Sequence, residues 1–319
     1  MATAEQIKSM VKAYVDLDDE RFKTVVLQIA AREAKLGHAN LARDLKTIID
    51  KTGKKRANIL HLNAQNPMLS TSLPSLSMSD LITNDDTANR IKRIIVEYKN
   101  RGKLHSHGLA NRRKILIEGE SGTGKTLTAS IIASELILPL YTVQVDKVVT
   151  KFMGETSVKL RQIFDSIEST IGVYLFDEFD AIGADRGLDN EVGEMRRILN
   201  SFLQFLEQDK SESIIIAATN TPKMLDQALF RRFDDVLHYS LPSSVEISRL
   251  FIHKLKSYDS KFVLSECLID KAQGLSHAEI SRICDDAIKD SILNDEPISE
   301  VQILNLIKQR YAIYENREA

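Results

Sequence analysis

The sequence is poor in cysteine, has no excess of charge of one sign and lacks a long apolar run. Its two cysteines, Cys267 and Cys284, are too few for a disulfide framework or a thiolate zinc site, and they are too far apart for a CxxC pair. A reducing, cytoplasmic location is therefore expected. With 43 Lys and Arg against 45 Asp and Glu, the net charge of −2 gives no reason to expect nucleic acid or an anionic membrane as a partner.

The sequence also lacks a recognisable targeting or membrane segment. Charged side chains interrupt residues 1–16, unlike the apolar core of a signal peptide. Stretch 59–79 is rich in Ser, Asn, Gln and Pro, and stretch 127–145 contains Glu135 and Pro139, so neither is expected to enter a membrane. With 43% hydrophobic and 28% charged residues, the composition is instead typical of a folded chain, and 319 residues are enough for one large domain with attachments or for two modest domains.

The first 80 residues divide into a helical part and a linker. Apolar side chains recur at helical spacing three times within residues 1–52, which predicts three amphipathic helices. So short a unit is marginal as an independent fold, and it is predicted either to dock a partner or to pack on the body of the chain. Residues 53–80 are rich in Ser and contain Pro67 and Pro74, a composition that predicts a linker.

Five short apolar runs alternate with helical periods between residues 81 and 242. Nearly continuous apolar strands separated by helices predict an α/β fold with a doubly wound parallel sheet covered on both faces. After Pro242 the strand signals cease, and residues 243–319 are predicted to form three or four helices as a separate subdomain. The predicted strands are Lys114–Glu118, Leu140–Val145, Val173–Phe176, Ser213–Ala218 and Val236–Tyr239.

A glycine-rich segment, residues 119–126, matches the phosphate-binding P-loop pattern and lies between a predicted strand and a predicted helix. Backbone N–H groups of such a turn can surround a polyphosphate, Lys125 can neutralise the β and γ oxygens of ATP, and the hydroxyl of Thr126 can ligate Mg²⁺. The predicted nucleotide-binding residues are Gly119, Glu120, Ser121, Gly122, Thr123, Gly124, Lys125 and Thr126.

Polar side chains follow two of the predicted strands. Asp177 and Glu178 end an apolar strand, so in a doubly wound sheet they would meet the phosphate site, Asp177 holding the metal and Glu178 polarising the attacking water. Acids at a strand end are often merely solvated, but the upstream P-loop favours the catalytic interpretation. Asn220 ends the next strand and could orient the water; the alternative is a turn residue before Pro222, but the neighbouring motifs favour the first role.

Taken together, the ordered motifs from about Leu81 to Asp295 resemble the AAA family of ATPases. A further segment of this resemblance runs from Leu225 to Asp234 and contains Arg231 and Arg232. The resemblance implies that both are arginine fingers that reach the ATP site of a neighbouring subunit, in a homo-oligomeric ring that is usually hexameric in the family. The alternative is a pair of arginines in surface ion pairs.

Residues 151–155, Lys-Phe-Met-Gly-Glu, are similar to the pore loop of the family. The resemblance implies that Phe152 and Met153 face the central channel and grip a polypeptide substrate without reading its sequence. An aromatic ring and a thioether suit that contact, and Gly154 allows the loop to move. The alternative is that Phe152 packs beneath the following helix.

Two positions depart from the family pattern. In the segment 274–280, which resembles the lid motif near adenine, His277 replaces a glycine and puts the adenine contact in question. In the P-loop, Glu120 and Ser121 replace the usual Pro-Pro, with little loss expected because backbone amides bind the phosphates.

The resulting prediction is an Mg²⁺-dependent ATP hydrolase that forms a ring and unfolds, remodels or threads protein clients. No HExxH segment occurs, so any proteolysis would need a separate protease, for which residues 1–52 are the candidate docking part. Two alternatives stay open: an ATP-gated scaffold or switch, and a nucleic-acid-directed motor, against which the balanced charge argues. His105 and His107 could share a metal, but no carboxylate or cysteine lies near them in sequence.

Overall fold

The computed structural model describes residues 8, 19–35, 38, 41, 43–45, 66–148, 155–179, 189–221, 230–259 and 262–315. The chain divides into two units, residues 1–65 and 66–319. In the first unit, helix α1 (Asp19–Lys35) has an apolar face made by the buried residues Val25, Val26, Ile29 and Ala30. This helix confirms the second of the three predicted helices; nearly all of the other two lies outside the described residues, and the domain boundaries stay predictions.

The second unit contains a six-stranded sheet with the strand order β1-β3-β4-β5-β2-β6. Strands β2 to β6 pair with one another in parallel, whereas the edge strand β1 pairs with β3 in antiparallel orientation. The strands are β1 (Leu69–Ser72), β2 (Lys114–Gly119), β3 (Leu140–Val143), β4 (Val173–Phe176), β5 (Ile214–Thr219) and β6 (Asp235–Tyr239). All five predicted strands are therefore present, each with ends within two residues of the prediction.

Strand β1 lies inside the segment that the composition predicted to be a linker. Its sequence, Leu-Ser-Thr-Ser, carries no apolar run, and its side chains alternate between half-buried and exposed at the edge of the sheet. Contacts with distant residues hold it there. The carbonyl of Met68 accepts a hydrogen bond from the N–H of Gln144 at 2.9 Å, and the side chain of Asn66 donates to Ser166 Oγ at 3.0 Å.

Helices cover both faces of the sheet. The side chains of β2 alternate between two cores: Ile115 and Ile117 pack with Ile91 and Ile94 of the helix Asp85–Lys99, while Leu116 packs with an aromatic cluster that includes Phe164 and Phe202. The helices of this part are α2 (Asp85–Lys99), α3 (Arg101–Ser106), α4 (Lys125–Leu136), α5 (Val145–Val148), α6 (Glu155–Ser169) and α7 (Asp189–Gln208), and a short 3₁₀ turn spans Met78–Asp80. This arrangement confirms the predicted doubly wound α/β fold.

Four helices follow the last strand and have a core of their own, which confirms the predicted helical character of the C-terminal part. Capping boxes begin two of them: Ser243 pairs with Glu246 before α8, and Ser276 pairs with Glu279 before α10. The helices are α8 (Ser244–Leu255), α9 (Glu266–Lys271), α10 (His277–Asn294) and α11 (Glu300–Glu315). We call them the lid because α10 begins beside the P-loop.

Two kinds of feature are absent from the part of the chain that the structure describes. No helix there combines the length and apolar character needed to cross a bilayer. The same residues contain no cluster of three or more His, Cys, Asp or Glu side chains that could hold a metal ion. His107 instead contacts the carbonyl of Lys103 and the hydroxyl of Ser106, within the exposed turn that ends α3.

Candidate active site

The P-loop connects β2 to α4 in a backbone conformation that requires glycine. Gly119 has φ 149°, and a Cβ atom there would lie only 2.1 Å from the carbonyl oxygen of Tyr239 on the neighbouring strand. Gly122 has φ 77°, and a Cβ atom there would lie 2.6 Å from Ser276 Oγ of the lid. Both positions combine a positive φ with a close approach, so only glycine lets the loop take this path.

Lys125 reaches back across the loop that precedes it. Its Nζ donates hydrogen bonds to the carbonyls of Gly119 and Glu120, both at 2.7 Å, and the side chain is largely buried. The hydroxyl of Thr123 donates to the carbonyl of Glu120 as well, at 2.7 Å. These contacts hold an ammonium group inside the loop, where phosphate oxygens can replace the carbonyls as its partners.

The two predicted metal ligands are in direct contact. Thr126 Oγ1, in the first turn of α4, donates a hydrogen bond to Asp177 Oδ2 at 2.7 Å, although these residues are 51 positions apart in the sequence. The other oxygen of Asp177 accepts from the backbone N–H of Glu178 at 2.9 Å. A hydroxyl and a carboxylate are the oxygen ligands that Mg²⁺ prefers, so the pair fits the predicted metal site.

Glu178 has a strained backbone at the end of β4. Its φ of 50° lies in the left-handed region, which residues with a side chain rarely adopt. The next residue, Phe179, is fully buried and donates its N–H to the carbonyl of Ala218 at 2.8 Å, which fixes the turn. Backbone strain of this kind is concentrated at functional sites. The exposed Asn220, just beyond β5, shares the same cavity as Glu178.

A cavity of about 520 Å³ joins these groups to the lid. Its size is in the range of small-molecule sites, and it offers a glycine cradle, an ammonium and two oxygen ligands, so the residues present fit Mg²⁺-ATP. Its lining is Leu76, Asp80, Leu81, Ile82, Ser121, Gly122, Thr123, Gly124, Lys125, Thr126, Leu127, Asp177, Glu178, Asn220, Leu250, His253, Lys254, His277, Ala278 and Ser281. Gly119 and Glu120 contribute the carbonyls that bind Lys125.

The lid bonds directly to the P-loop. The backbone N–H of Ala278, in the first turn of α10, donates to the carbonyl of Gly122 at 2.9 Å. Beside it, His277 is buried, and neither ring nitrogen has a hydrogen-bond partner among the described residues. Burial lowers the pKa of this imidazole, an effect that attraction to Glu246 partly opposes.

Sequence reasoning missed the rest of the cavity wall. Leu81 and Ile82 come from the segment before α2, and Leu250, His253 and Ser281 come from the lid. No local pattern marks these residues, because they converge from segments more than a hundred positions apart.

The two arginines lie outside the cavity of their own chain. Arg232 forms an ion pair with Glu207, at the end of α7. Arg231 is exposed and forms no hydrogen bond or ion pair that involves the described residues. The predicted substrate contacts, Phe152 and Met153, lie outside the described residues.

Comparison with known proteins decides the family. The family described as "ATPase family associated with various cellular activities (AAA)" matches residues 115–241. An uncharacterized AAA family ATPase, y4kL of Sinorhizobium fredii, is 32% identical over 302 residues, which cover 92% of this chain and 90% of that protein. The chain belongs to the AAA family of ATPases. It is therefore an ATP hydrolase, and ATP with Mg²⁺ is the usual cofactor of the family.

Other AAA relatives are longer proteins. The ATP-dependent zinc metalloprotease FtsH of Mycoplasmopsis synoviae is 31% identical across 69% of this chain, which spans only 34% of that protein. A 26S proteasome regulatory subunit homolog of Methanocaldococcus jannaschii is 28% identical across 74% of this chain and 64% of its own length. The crystal structure of the FIGL-1 AAA domain superposes with a TM-score of 0.60 at 19% identity, covering 82% of this chain and 95% of that chain, which shows the shared fold.

Proposed function

We propose that the chain assembles into a ring and uses the hydrolysis of Mg²⁺-ATP to remodel, unfold or thread protein clients. The observation that carries the hydrolytic part is the convergence of Lys125, Thr126, Asp177, Glu178 and Asn220 on one cavity. AAA domains typically form oligomeric rings, and a ring would place a neighbouring subunit beside that cavity.

Each group in the cavity has a distinct proposed role. Lys125 and the P-loop amides bind the β and γ phosphates, while Thr126 and Asp177 hold the metal. Bound Mg²⁺ would supply positive charge beside those phosphates. Glu178 accepts a proton from the attacking water, and Asn220 orients that water through its amide. The hydrogen bond from the N–H of Glu178 to Asp177 links the base to the metal ligand.

Protein remodelling is the part of the proposal that rests on the relatives and on the sequence. FtsH is named as a protease and the archaeal relative as a homolog of a proteasome regulatory subunit, so both relatives bear names of protein-degrading systems. Phe152 and Met153 are the proposed contacts with an extended polypeptide in the pore. Since no HExxH segment occurs, degradation of a client would need a separate protease, which we propose to dock through residues 1–52.

The substitution Glu178→Gln tests the hydrolytic mechanism. Because the amide cannot accept the proton of water, steady-state ATP turnover should fall about 100-fold or more, while the dissociation constant for ATP stays within about 3-fold of wild type. Glu168→Gln, which alters an exposed acid on α6, is the matched control and should keep full turnover. Undiminished turnover in Glu178→Gln would remove Glu178 from the mechanism.

The substitution Phe152→Ala tests threading. Turnover of ATP by Phe152→Ala should persist, because the pore loop makes no proposed contact with nucleotide. The client for this test is a protein first captured by Glu178→Gln. The rate at which Phe152→Ala unfolds that client should be about 10-fold below wild type, because the aromatic contact is lost. If client unfolding is unchanged while the protein hydrolyses ATP, the pore interpretation is wrong. A protein that binds and assembles with ATP but never moves a client would instead be the scaffold or switch.

A further inference from the structure

His277 is buried at the start of α10, yet within the part of the chain that the structure describes its side chain has no hydrogen-bond partner. Only 9% of the residue is exposed, and both Nδ1 and Nε2 are buried without a hydrogen bond to any described residue. The residue nevertheless lines the nucleotide cavity. A buried polar group without a partner is rare in folded proteins and calls for a specific explanation.

The imidazole is suited to a neutral hydrogen bond. Burial lowers its pKa, and the nearby Glu246, which opposes that shift, is itself engaged by the N–H and the hydroxyl of Ser243. A neutral imidazole has one N–H donor and one acceptor nitrogen. The χ2 torsion of histidine is broad, so the ring can turn toward a ligand without leaving its rotamer.

The cavity wall carries groups of two chemical kinds. Lys125, Thr126 and Asp177 suit phosphate and metal. Outside the P-loop, apolar side chains that suit a flat ring system stand beside polar ones; this part of the wall includes Leu81, Ile82, Leu250 and Ala278, and also Asp80, His253, Lys254 and Ser281. With the phosphates in the P-loop, the nucleoside has to contact the wall outside that loop, and His277 is part of this wall.

We infer that His277 is a specificity-determining residue whose imidazole hydrogen-bonds the purine nucleoside part of the bound nucleotide. This inference rests on the proposed nucleotide site. The nucleotide provides the partner that the ring nitrogens lack, through a polar atom of either the base or the ribose. The lid motif that this sequence resembles has glycine at this position, so the contact is an addition made by the side chain of this protein.

Binding measurements in the Glu178→Gln background, which keeps ATP intact, test the contact. His277→Phe retains a ring but no hydrogen bond, so it should weaken ATP binding about 3- to 10-fold. His277→Gln, which keeps a donor and an acceptor, should bind ATP within about 3-fold of the parent. His105→Phe, at an exposed position on α3, is the matched control and should not change the dissociation constant.

Nucleotide analogues identify the atom involved. Purine riboside triphosphate lacks the 6-amino group, 7-deaza-ATP lacks N7, and 2′-deoxy-ATP and 3′-deoxy-ATP each lack one ribose hydroxyl. One of these analogues should bind the parent protein about 3- to 10-fold more weakly than ATP and should lose no further affinity on His277→Phe. 1-Deaza-ATP and 3-deaza-ATP, which lack N1 and N3, complete the set. If His277→Phe weakens ATP and all six analogues equally, or weakens none of them, the contact does not exist.

Two further measurements distinguish a failure of the His277 contact from a failure of the nucleotide site. Inorganic triphosphate has no nucleoside, so its affinity should be the same with and without His277→Phe; failure of triphosphate and ATP to bind at all would overturn the proposed nucleotide site itself. In the nucleotide-free protein, His277→Phe should leave the melting temperature unchanged or raise it by about 2–4 °C, because it removes an unsatisfied polar group. A lower melting temperature with unchanged ATP affinity would make His277 a structural residue.

Discussion

At the scale of single residues, the P-loop depends on the absence of side chains as much as on their presence. Gly119 pairs with Tyr239 in the sheet, and its position leaves no room for a Cβ atom beside the carbonyl of that strand. The neighbour is backbone held in the ladder of β6, so it cannot move aside without breaking strand pairing. Gly119 is therefore as much a requirement of the fold as of phosphate binding.

The substitution Gly119→Ala should lower the free energy of unfolding by about 3 kcal/mol, because it adds a clash and strain at a positive φ. Gly102→Ala is the matched control: it lies in α3 with nothing within 4 Å of a new Cβ atom, and it should stabilise the protein by about 0.5 kcal/mol. Urea denaturation of both variants measures the difference. Equal unfolding midpoints would refute the close approach.

The sequence predicted which of these residues would come together better than it predicted their geometry. The P-loop spacing and the acids after β4 identified Lys125, Asp177 and Glu178, since each lies at a fixed place relative to a strand. It could not predict the positive φ of Glu178, because that conformation is imposed by the buried Phe179 next to it. The contact of Thr126 with Asp177 likewise depends on how α4 and β4 pack.

At the scale of elements, the pattern of apolar residues predicted the strands that are made largely of apolar residues. Strands β4 and β5 are buried on both faces, β2 is largely buried, and all three are rich in apolar side chains, so they stand out in the sequence. Strand β1 is an edge strand with Ser and Thr in three of its four positions, and pairing with β3 alone makes it extended. Local composition could not distinguish it from a linker.

The lid is expected to make stability depend on pH near neutrality. Burial lowers the pKa of His277 from its ordinary value of 6.5, so below that value the unfolded chain binds a proton that the folded lid resists. The stability contributed by the neutral ring is complete above pH 6.5 and is lost as pH falls through the lowered pKa. Carboxyls whose pKa values are lowered, such as that of Asp80, affect the free energy of unfolding only at lower pH.

This dependence is measured as the urea midpoint at pH 7.5 and pH 5.5. The urea midpoint of the parent protein should be lower at pH 5.5 than at pH 7.5. The difference should be smaller for His277→Phe, which has no titrating ring. An identical pH profile for parent and variant would mean that Glu246 or another group compensates for the burial of His277.

At the scale of the whole molecule, neither of the two candidate arginine fingers lies in the nucleotide cavity of its own chain. Arg231 is exposed and does not line the cavity of its own chain, and the ion pair with Glu207 holds Arg232 at the end of α7. In the proposed ring, we expect these arginines to complete the site of the adjacent subunit. Supplying them from a neighbour makes hydrolysis depend on assembly, because guanidinium charge stabilises the transferring phosphoryl group.

Mixing two inactive variants tests this arrangement. Glu178→Gln has intact arginines but a dead site, whereas Arg231→Ala/Arg232→Ala has an intact site but no arginines to donate. If the arginines act between subunits, random equimolar rings should recover about a quarter of wild-type turnover, since half of the sites are intact and half of those receive an arginine. A mixture of Glu178→Gln with Lys125→Ala should recover nothing, because each variant has an incomplete cavity of its own. If the first mixture is as inactive as the second, the arginines do not act across a subunit boundary.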